Sequence, residues 1–397
     1  MRQFRRFWGQ YWRVALIITL AGATVAFLLL FRLGYLTRGL SGSELQLQLQ
    51  ASSWHNLVHN PLDLPLKTVQ WVFLTLFQHR TPFELRAPSA IFGALTLVAF
   101  AYVLRRWYGI RAAIYGTILF GFSSWFLHTS RLASYDIMQL WAVTTLIALH
   151  VALFQRPVKR VVWLYVGMIL SGLLLYVPGV VWLWVIAISL HPKDIATFWQ
   201  TLGTSWRRML AIGLFLLTLV PLGYAFFRTP SFAQTWLGLP NHFGTASLLV
   251  KDFVRVPYEL FVTGPNSPQL WLDRLPVLDI FSTIMCVFGI VFYARHILVP
   301  RTRLLLGIFI VGAMLAALGG PVGLSIVIPV AYLVVAAGVG YILHEWLRVF
   351  PRNPLARTLG YGLLGFAILM ACLYNTRAYY VAWPHNPTTI TIFRSQE

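Results

Sequence analysis

The sequence predicts an all-α polytopic membrane protein with about eleven transmembrane helices, on two observations. Hydrophobic residues make up 58% of its 397 positions and charged residues only 11%, too few charges to cover the surface of a soluble protein of this length. The second observation is a series of apolar runs whose lengths suit helices that cross the bilayer inside a bundle. These runs are about 13–31, 87–104, 112–127, 137–154, 161–177, 178–190, 209–227, 276–294, 304–319, 321–343 and 358–376.

Basic residues fix the predicted orientation. With the N-terminus in the cytoplasm, the segments left inside are about three times richer in Lys and Arg per residue than those left outside, as the positive-inside rule requires. The formal net charge of +20 therefore reflects topology, and we expect no nucleic-acid partner. Residues 1–397 are predicted to form a single transmembrane domain with two long outer segments, 32–86 and 228–275.

The first outer segment contains a polar stretch, 39–66, that is unsuited to lipid. Ser41 and Glu44 have the spacing of a capping box, which predicts the start of a helix. The following LQLQLQ run alternates like a strand, but a lone strand beside lipid would leave backbone groups unpaired. We therefore predict a helix lying on the membrane surface, with Asn60-Pro61 at its end. Its buried face would carry Leu47, Ala51, Trp54 and Val58.

A second apolar piece, 67–77, is too short to span the bilayer and predicts an interfacial or re-entrant segment. The first outer loop is thus expected to carry juxtamembrane helices. Elsewhere, Cys286 and Cys372 lie within predicted spans and indicate no disulfide framework. The sequence has no phosphate-binding loop, dinucleotide fingerprint or metal-type His/Cys spacing, so we expect no metal and no cofactor.

Acidic residues are concentrated on the predicted outer side. Only Asp194 and Glu345 fall in inner segments, whereas the outer ones are Glu44, Asp63, Glu84, Asp136, Asp252, Glu259, Asp273, Asp279 and Glu397. Two interpretations fit this distribution: chemistry at the outer face, or outer loops that are simply longer and more polar.

Several motifs between 39 and 140 occur in an order found in a known family. An acid, Glu44, opens the first outer loop, and a proline-leucine element, Pro65-Leu66, follows about twenty residues later. Arg86 then begins the next span ahead of Gly93. The next element is an S-R-x-A-x-x-D turn made by Ser130, Arg131, Ala133 and Asp136, and a proline-bearing helix, GGPVGLSIVIPVAYLVVAAGV, comes near the end of the chain.

This order resembles the protein-O-mannosyltransferase and aminoarabinose-transferase (ArnT-like) branch of the GT-C membrane glycosyltransferases. The resemblance implies a GT-C-like fold and transfer of a sugar from a polyprenyl-phosphate donor to an acceptor hydroxyl on the outer face, with inversion. A carboxylate can take the proton of the attacking hydroxyl. Arginine or lysine can stabilise the leaving phosphate. The expected partners are the lipid-linked donor, membrane lipid and a hydroxyl acceptor of unspecified kind.

On this basis Glu44 and Asp136 are the predicted catalytic residues, and Arg131, Arg86, Asp63 and Tyr135 the predicted substrate-binding residues. Structural interpretations stand beside these roles. Glu44 suits a capping residue, Asp136 a helix cap, and both arginines suit anchors at the headgroup level.

Two departures from the family pattern bear on activity. The family usually has Asp-Glu at the start of the loop, where this chain has Ser43-Glu44, so Glu44 is expected to take the role of the base unless the acid has been lost. Asp63 stands where the family has a basic residue, and could substitute for the missing acid. A non-catalytic relative or a lipid-carrier transporter is therefore the alternative function. We expect the protein in a bacterial cytoplasmic membrane, with its active face outside.

Overall fold

A computed structural model describes residues 19–37, 39–77, 81–154, 160–190 and 204–394, together with Leu16 and Gln200. Its regular elements in this part of the chain are all helical, which confirms the predicted fold class. The α-helices are α1 Thr19–Leu30, α2 Gly42–Gln50, α3 Trp54–His59, α4 Leu64–Phe77, α5 Pro82–Tyr108, α6 Ile110–Phe122, α7 Ser124–Arg131, α8 Asp136–Phe154, α9 Arg160–Leu174, α10 Val180–Ser189, α11 Ser205–Arg228, α12 Phe232–Trp236, α13 Ala246–Phe261, α14 Ile280–Ala294, α15 Pro300–Ala317, α16 Ile328–Val349, α17 Pro354–Arg377 and α18 Pro387–Arg394.

Each predicted span coincides with one of these helices, except 112–127, which coincides with α6 and the beginning of α7. Within the described residues, six helices are long and apolar enough to cross a membrane, or seven if α6 and α7 are one bent span. Shorter apolar helices occupy the other predicted spans. The protein is thus a multi-pass membrane protein, while the number of eleven crossings stays a prediction. Residues 1–15, 155–159, 191–199 and 201–203, which include parts of predicted inner segments, lie outside the described residues.

The first outer loop forms helices, as predicted, but two short ones instead of one. The capping box is confirmed: the Ser41 hydroxyl accepts from the Glu44 amide at 3.3 Å, and the Glu44 carboxylate accepts from the Ser41 amide at 2.9 Å. The chain then breaks after α2, and the Ser53 side chain caps α3. This break rotates the second helix, so Leu57 is buried and Trp54 is exposed, contrary to the predicted common face.

The third predicted span is broken near its outer end, which the sequence analysis did not foresee. Helices α6 and α7 meet at an angle of 62°. Ser123 between them is extended, and its hydroxyl accepts from the amide of Phe126 at 3.3 Å. Residues 128–131, predicted to begin an outer turn, are therefore helical and buried. The bend brings α7 against α5, where Gly93 leaves room for Ser130.

Helices α14 and α16 form the most extensive helix pair of the described bundle. Their contact depends on two glycines that face each other, Gly289 and Gly338. A Cβ atom at Gly338 would overlap the carbonyl oxygen of Met285, and one at Gly289 would overlap that of Val334. Small residues let membrane helices approach closely and gain packing energy, so these glycines set the spacing of the pair.

We expect Gly338→Ala to lower the thermal unfolding midpoint of the purified protein in detergent. The added methyl meets backbone atoms, which cannot move aside alone, and overpacking of this kind costs about 1–3 kcal/mol. Gly340→Ala is the matched control, because its Cβ would meet only Ala112 at 3.7 Å. Equal unfolding midpoints for the two variants would contradict the proposed close approach.

Candidate active site

A polar cavity of about 310 Å³ lies where the first outer loop meets the beginning of α8. It opens on the side of the protein that the basic-residue bias predicts to be outside. Three further pieces of chain complete its walls: the residues after α7, a part of the second outer segment, and the loop before α16. The lining residues are Ser41, Ser43, Glu44, Leu47, Leu132, Ala133, Ser134, Tyr135, Asp136, Gln139, Ser267, Gln269, Leu270, Gly320, Pro321 and Gly323.

Glu44 forms a buried ion pair with Arg86 at the edge of this cavity. The two side chains are 2% and 1% exposed. Arg86 donates from Nε to Oε1 at 2.7 Å and from Nη2 to Oε2 at 2.8 Å. The amides of Ser41 and Ala133 donate to the same carboxylate at 2.9 and 3.1 Å. A carboxylate has about four acceptor positions, and these four donors occupy them.

Asp136, the first residue of α8, also lines the cavity, but its carboxylate is held differently. The Ser325 hydroxyl donates to Asp136 Oδ1 at 2.9 Å, and the Trp125 indole donates to the same hydroxyl oxygen at 3.0 Å. Both partners are buried. Because the indole N–H can only donate, it leaves the proton of Ser325 directed at Asp136. The carboxylates of Glu44 and Asp136 thus accept hydrogen bonds from different kinds of donor.

Gln139, one turn further along α8, fixes the opposite wall. Its side chain accepts from the amide of Gly323 at 3.1 Å and donates to the carbonyl of Pro321 at 3.2 Å. Gly323 also lies close to Asp136, since a Cβ there would stand 3.2 Å from Oδ1. The loop before α16 is therefore fastened to the start of α8. Sequence analysis missed Gln139 and Ser325, which carry no charge or recognisable spacing.

Asp63 is buried behind the cavity wall, with Lys67 and Tyr135 nearby. It adopts a left-handed conformation with φ of 54°, and its amide donates to the carbonyl of Tyr176 at 2.9 Å. Burial raises the pKa of Asp63 to about 7; Lys67 opposes this rise, and Asp136 adds to it. Asp63 therefore carries a proton part of the time near neutral pH.

Lys67 is a buried cation that sequence analysis did not select. Its ammonium donates to the carbonyl of Asn60 at 3.0 Å and lies 5.4 Å from the ring centroid of Tyr135. Tyr135 lines the cavity and donates its hydroxyl proton to Gln50 at 2.6 Å. The signal that could have found Lys67 is its position four residues after Asp63, which places both on one side of a helix start.

Arg131 points away from the cavity. Its guanidinium donates to the carbonyl of Leu28 at 2.6 Å, and also to the carbonyl of Phe31 and the hydroxyl of Tyr380. The Tyr380 ring centroid lies 4.7 Å from its central carbon. Arg131 therefore joins the end of α1 to the segment after α17. Its predicted role at a phosphate stays a prediction.

The structure thus brings some of the predicted site residues together and leaves others apart. Glu44, Asp136 and Tyr135 line one cavity, with Arg86 directly behind Glu44. Asp63 and Arg131 are not among the lining residues. The described part of the chain contains no group of three or more His, Cys, Asp or Glu side chains that could hold a metal ion.

The whole chain was compared with known proteins. No protein-family model matches the sequence, and no curated protein matches it either. Solved structures do match over almost the full chain. ArnT from Cupriavidus metallidurans in the apo state gives a TM-score of 0.54 at 16% identity, covering 97% of this chain and 77% of ArnT. ArnT bound to undecaprenyl phosphate gives 0.51 at 15% identity, with the same coverage.

The oligosaccharyltransferase of Archaeoglobus fulgidus, tethered to an acceptor peptide, is also similar. Its TM-score is 0.52 at 14% identity, covering 96% of this chain and 56% of that enzyme. Both proteins are GT-C glycosyltransferases. The chain has a GT-C fold. This confirms the fold that the sequence resemblance implied. The cavity lies between the first outer loop and the helical bundle.

We expect a double-mutant cycle to show strong coupling between Glu44 and Arg86. Either Glu44→Gln or Arg86→Met leaves a buried group without its partner, which costs about 3–5 kcal/mol when the surviving group is charged. The double variant should be more stable than the sum of the single losses predicts, by about 1–3 kcal/mol. Unfolding in detergent measures all three variants.

The exposed pair Arg255–Glu259, with the same Nε–Oε1 distance of 2.7 Å, is the matched control. Coupling in such a surface pair is only about 0.2–0.5 kcal/mol. Simple additivity at Glu44 and Arg86 would contradict the claim that these side chains act as one buried unit.

Proposed function

We propose that this protein is a glycosyltransferase that moves a sugar from a polyprenyl-phosphate donor to an acceptor hydroxyl at the outer membrane surface, with inversion. The observation that carries the proposal is the Asp136 carboxylate, held by Ser325 in a polar cavity of a GT-C fold. The ArnT structure bound to undecaprenyl phosphate supports a lipid phosphate as the donor's carrier.

Asp136 is the proposed general base. The acceptor oxygen attacks the anomeric carbon, its proton passes to Asp136, and the bond from that carbon to the carrier phosphate breaks. The carrier leaves as a polyprenyl phosphate. Both carboxylates line the cavity, but Asp136 suits this role better, because four donors already occupy the Glu44 carboxylate whereas Asp136 accepts from the Ser325 hydroxyl. Proton transfer to a positioned base contributes about 10²–10⁴-fold to a rate.

Glu44 then acts as a positioning residue. Through Arg86 and the amide of Ala133 it holds the first outer loop against the chain that leads to Asp136. Its carboxylate forms part of the cavity wall without exchanging protons with the substrate. The catalytic role predicted for Glu44 is replaced in this proposal by a structural one.

The charge on the departing phosphate needs a cation, and none of the described residues that line the cavity is Lys or Arg. Arg86 and Lys67 both lie behind its wall. Arg86 is already paired with Glu44, whereas Lys67 contacts the ring of Tyr135, which lines the cavity. We therefore assign the phosphate to Lys67, with Tyr135 between the lysine and the reacting centre. A positive charge near the leaving group stabilises the transition state most when water is excluded.

A second candidate function is binding of a lipid-linked sugar without transfer. Ser43 occupies the position where the family usually has aspartate; it lines the cavity, and its hydroxyl donates to Gln269 at 3.3 Å. A chain that had lost the family's acid would keep the cavity and lose turnover. The proposed orientation, with the active face outside a bacterial cytoplasmic membrane, is shared by both functions.

We expect Asp136→Asn to lower kcat for sugar transfer by about 10²-fold or more, because the base is lost. The assay uses the full chain in lipid nanodiscs with undecaprenyl-phosphate sugars radiolabelled in the sugar and a panel of hydroxyl acceptors, and follows transfer of label to the acceptor together with release of undecaprenyl phosphate. Asp252→Asn is the control, since Asp252 belongs to the same outer side but does not line the cavity. Full activity of Asp136→Asn would reject Asp136 as the base. Donor binding by wild type with no turnover under any condition would favour the binding-only function.

A further inference from the structure

A second cavity, of about 470 Å³, lies on the other side of the loop that forms one wall of the first. Thr263, Gly264 and Asn266 face this second cavity, whereas Ser267 and Gln269, which follow directly, face the first. The residues that line the two cavities are thus adjacent in this loop. The remaining lining residues come from helix α13 and from Arg274.

The second cavity is strongly basic. Lys251, Arg255 and Arg274 line it, and Glu259 is its one acidic lining residue. Glu259 pairs with Arg255 at 2.7 Å. Within the described part of the chain, the ammonium of Lys251 and the guanidinium of Arg274 have no hydrogen-bond or ion-pair partner. The cavity therefore presents two uncompensated positive charges, which favour an anionic ligand.

Helix α13 places an apolar stripe beside these charges. Val250, Val254 and Tyr258 are all more than half exposed and follow one another at intervals of four residues. Lys251 and Arg255 occupy the adjacent positions of the same helix. A helix with one exposed apolar face and a basic border lies in the plane of the membrane interface. Val254 and Tyr258 also line the cavity. Charged and apolar surfaces are therefore adjacent at its rim.

Hydrogen bonds hold the chain around Arg274 in place. The amide of Gly264 donates to the carbonyl of Arg274 at 3.0 Å, and the indole of buried Trp271 donates to that of Leu275 at 2.7 Å. A side chain at Gly264 would overlap the Leu275 carbonyl. The end of α13 is joined to the approach to α14 by the amide of Leu278, which donates to the carbonyl of Leu260 at 3.0 Å.

We propose that the second cavity binds the phosphate headgroup of an anionic membrane phospholipid. The headgroup phosphate contacts Lys251 and Arg274, and the acyl chains lie along the apolar stripe of α13. A ligand with a charged head and apolar tails matches the abrupt change of surface at the rim, whereas a free anion would use only the charged part. Each basic residue near an anionic lipid surface adds to the attraction. The bound lipid contacts the loop that carries Ser267 and Gln269 into the first cavity.

The test measures lipid binding to the purified full chain in detergent, by thermophoresis, and requires no sugar transfer. The probes are dioctanoyl phosphatidylglycerol, dioctanoyl phosphatidylcholine, farnesyl phosphate and inorganic phosphate. We expect the Lys251→Gln/Arg274→Gln variant to bind phosphatidylglycerol about tenfold more weakly or worse. Lys251→Arg/Arg274→Lys keeps the charges and should bind like wild type. Arg228→Gln, which removes an exposed charge outside the cavity, should also leave binding unchanged.

Four outcomes would overturn the proposal. They are unchanged phosphatidylglycerol binding in the double glutamine variant, equal binding of phosphatidylcholine, displacement of the lipid by inorganic phosphate at the same concentration, and tighter binding of farnesyl phosphate through Lys251 and Arg274. The last outcome would assign the cavity to a polyprenyl carrier. Because Asp136→Asn leaves these residues untouched, loss of sugar transfer in that variant and loss of lipid binding here are independent results.

Discussion

The ion pair between Glu44 and Arg86 is the interaction on which the arrangement of the candidate site depends. Taking both charges out of water is costly, and such a pair adds little net stability by itself. Its importance is geometric, because Arg86 begins the membrane part of α5 and also donates to the Gly39 carbonyl at 3.1 Å. Glu44 reaches from the same pair to the amide of Ala133. Three pieces of chain are thereby held at one point.

In this arrangement the carboxylates of Glu44 and Asp136 have different roles. Glu44 is surrounded by donors that hold its carboxylate in place, so it supports the wall. Asp136 accepts from the Ser325 hydroxyl, and that hydroxyl is itself oriented by Trp125. Unequal surroundings are how neighbouring acids acquire different roles in an enzyme site. The family resemblance alone favoured Glu44 as the base, because it considers which residue occupies a position and not what surrounds it.

Hydropathy and local motifs predicted much of the fold. The apolar runs located the membrane helices, and the spacing of Ser41 and Glu44 correctly gave the start of α2. Contacts between residues that are far apart in the sequence could not be predicted from such local patterns. The break at Ser123 is stabilised by the Asn375 side chain, which accepts from the Ser124 amide at 3.1 Å, a partner 251 positions away. Ser325 was missed for the same reason, since its role depends on Asp136 and Trp125, which only the folded chain brings near.

The hydrogen bonds made by Arg131 constrain the order in which the protein can assemble during synthesis. The Tyr380 hydroxyl donates to the carbonyl of Leu28, 352 positions earlier, and accepts a hydrogen bond from Arg131, 249 positions earlier. The first helices enter the bilayer long before their partner has been translated. Until then the guanidinium of Arg131 lacks the tyrosine hydroxyl and the aromatic face that accompany it in the finished protein. The outer end of the bundle therefore closes only after α17 has been inserted, so the nascent chain must tolerate an incomplete site around Arg131 until then.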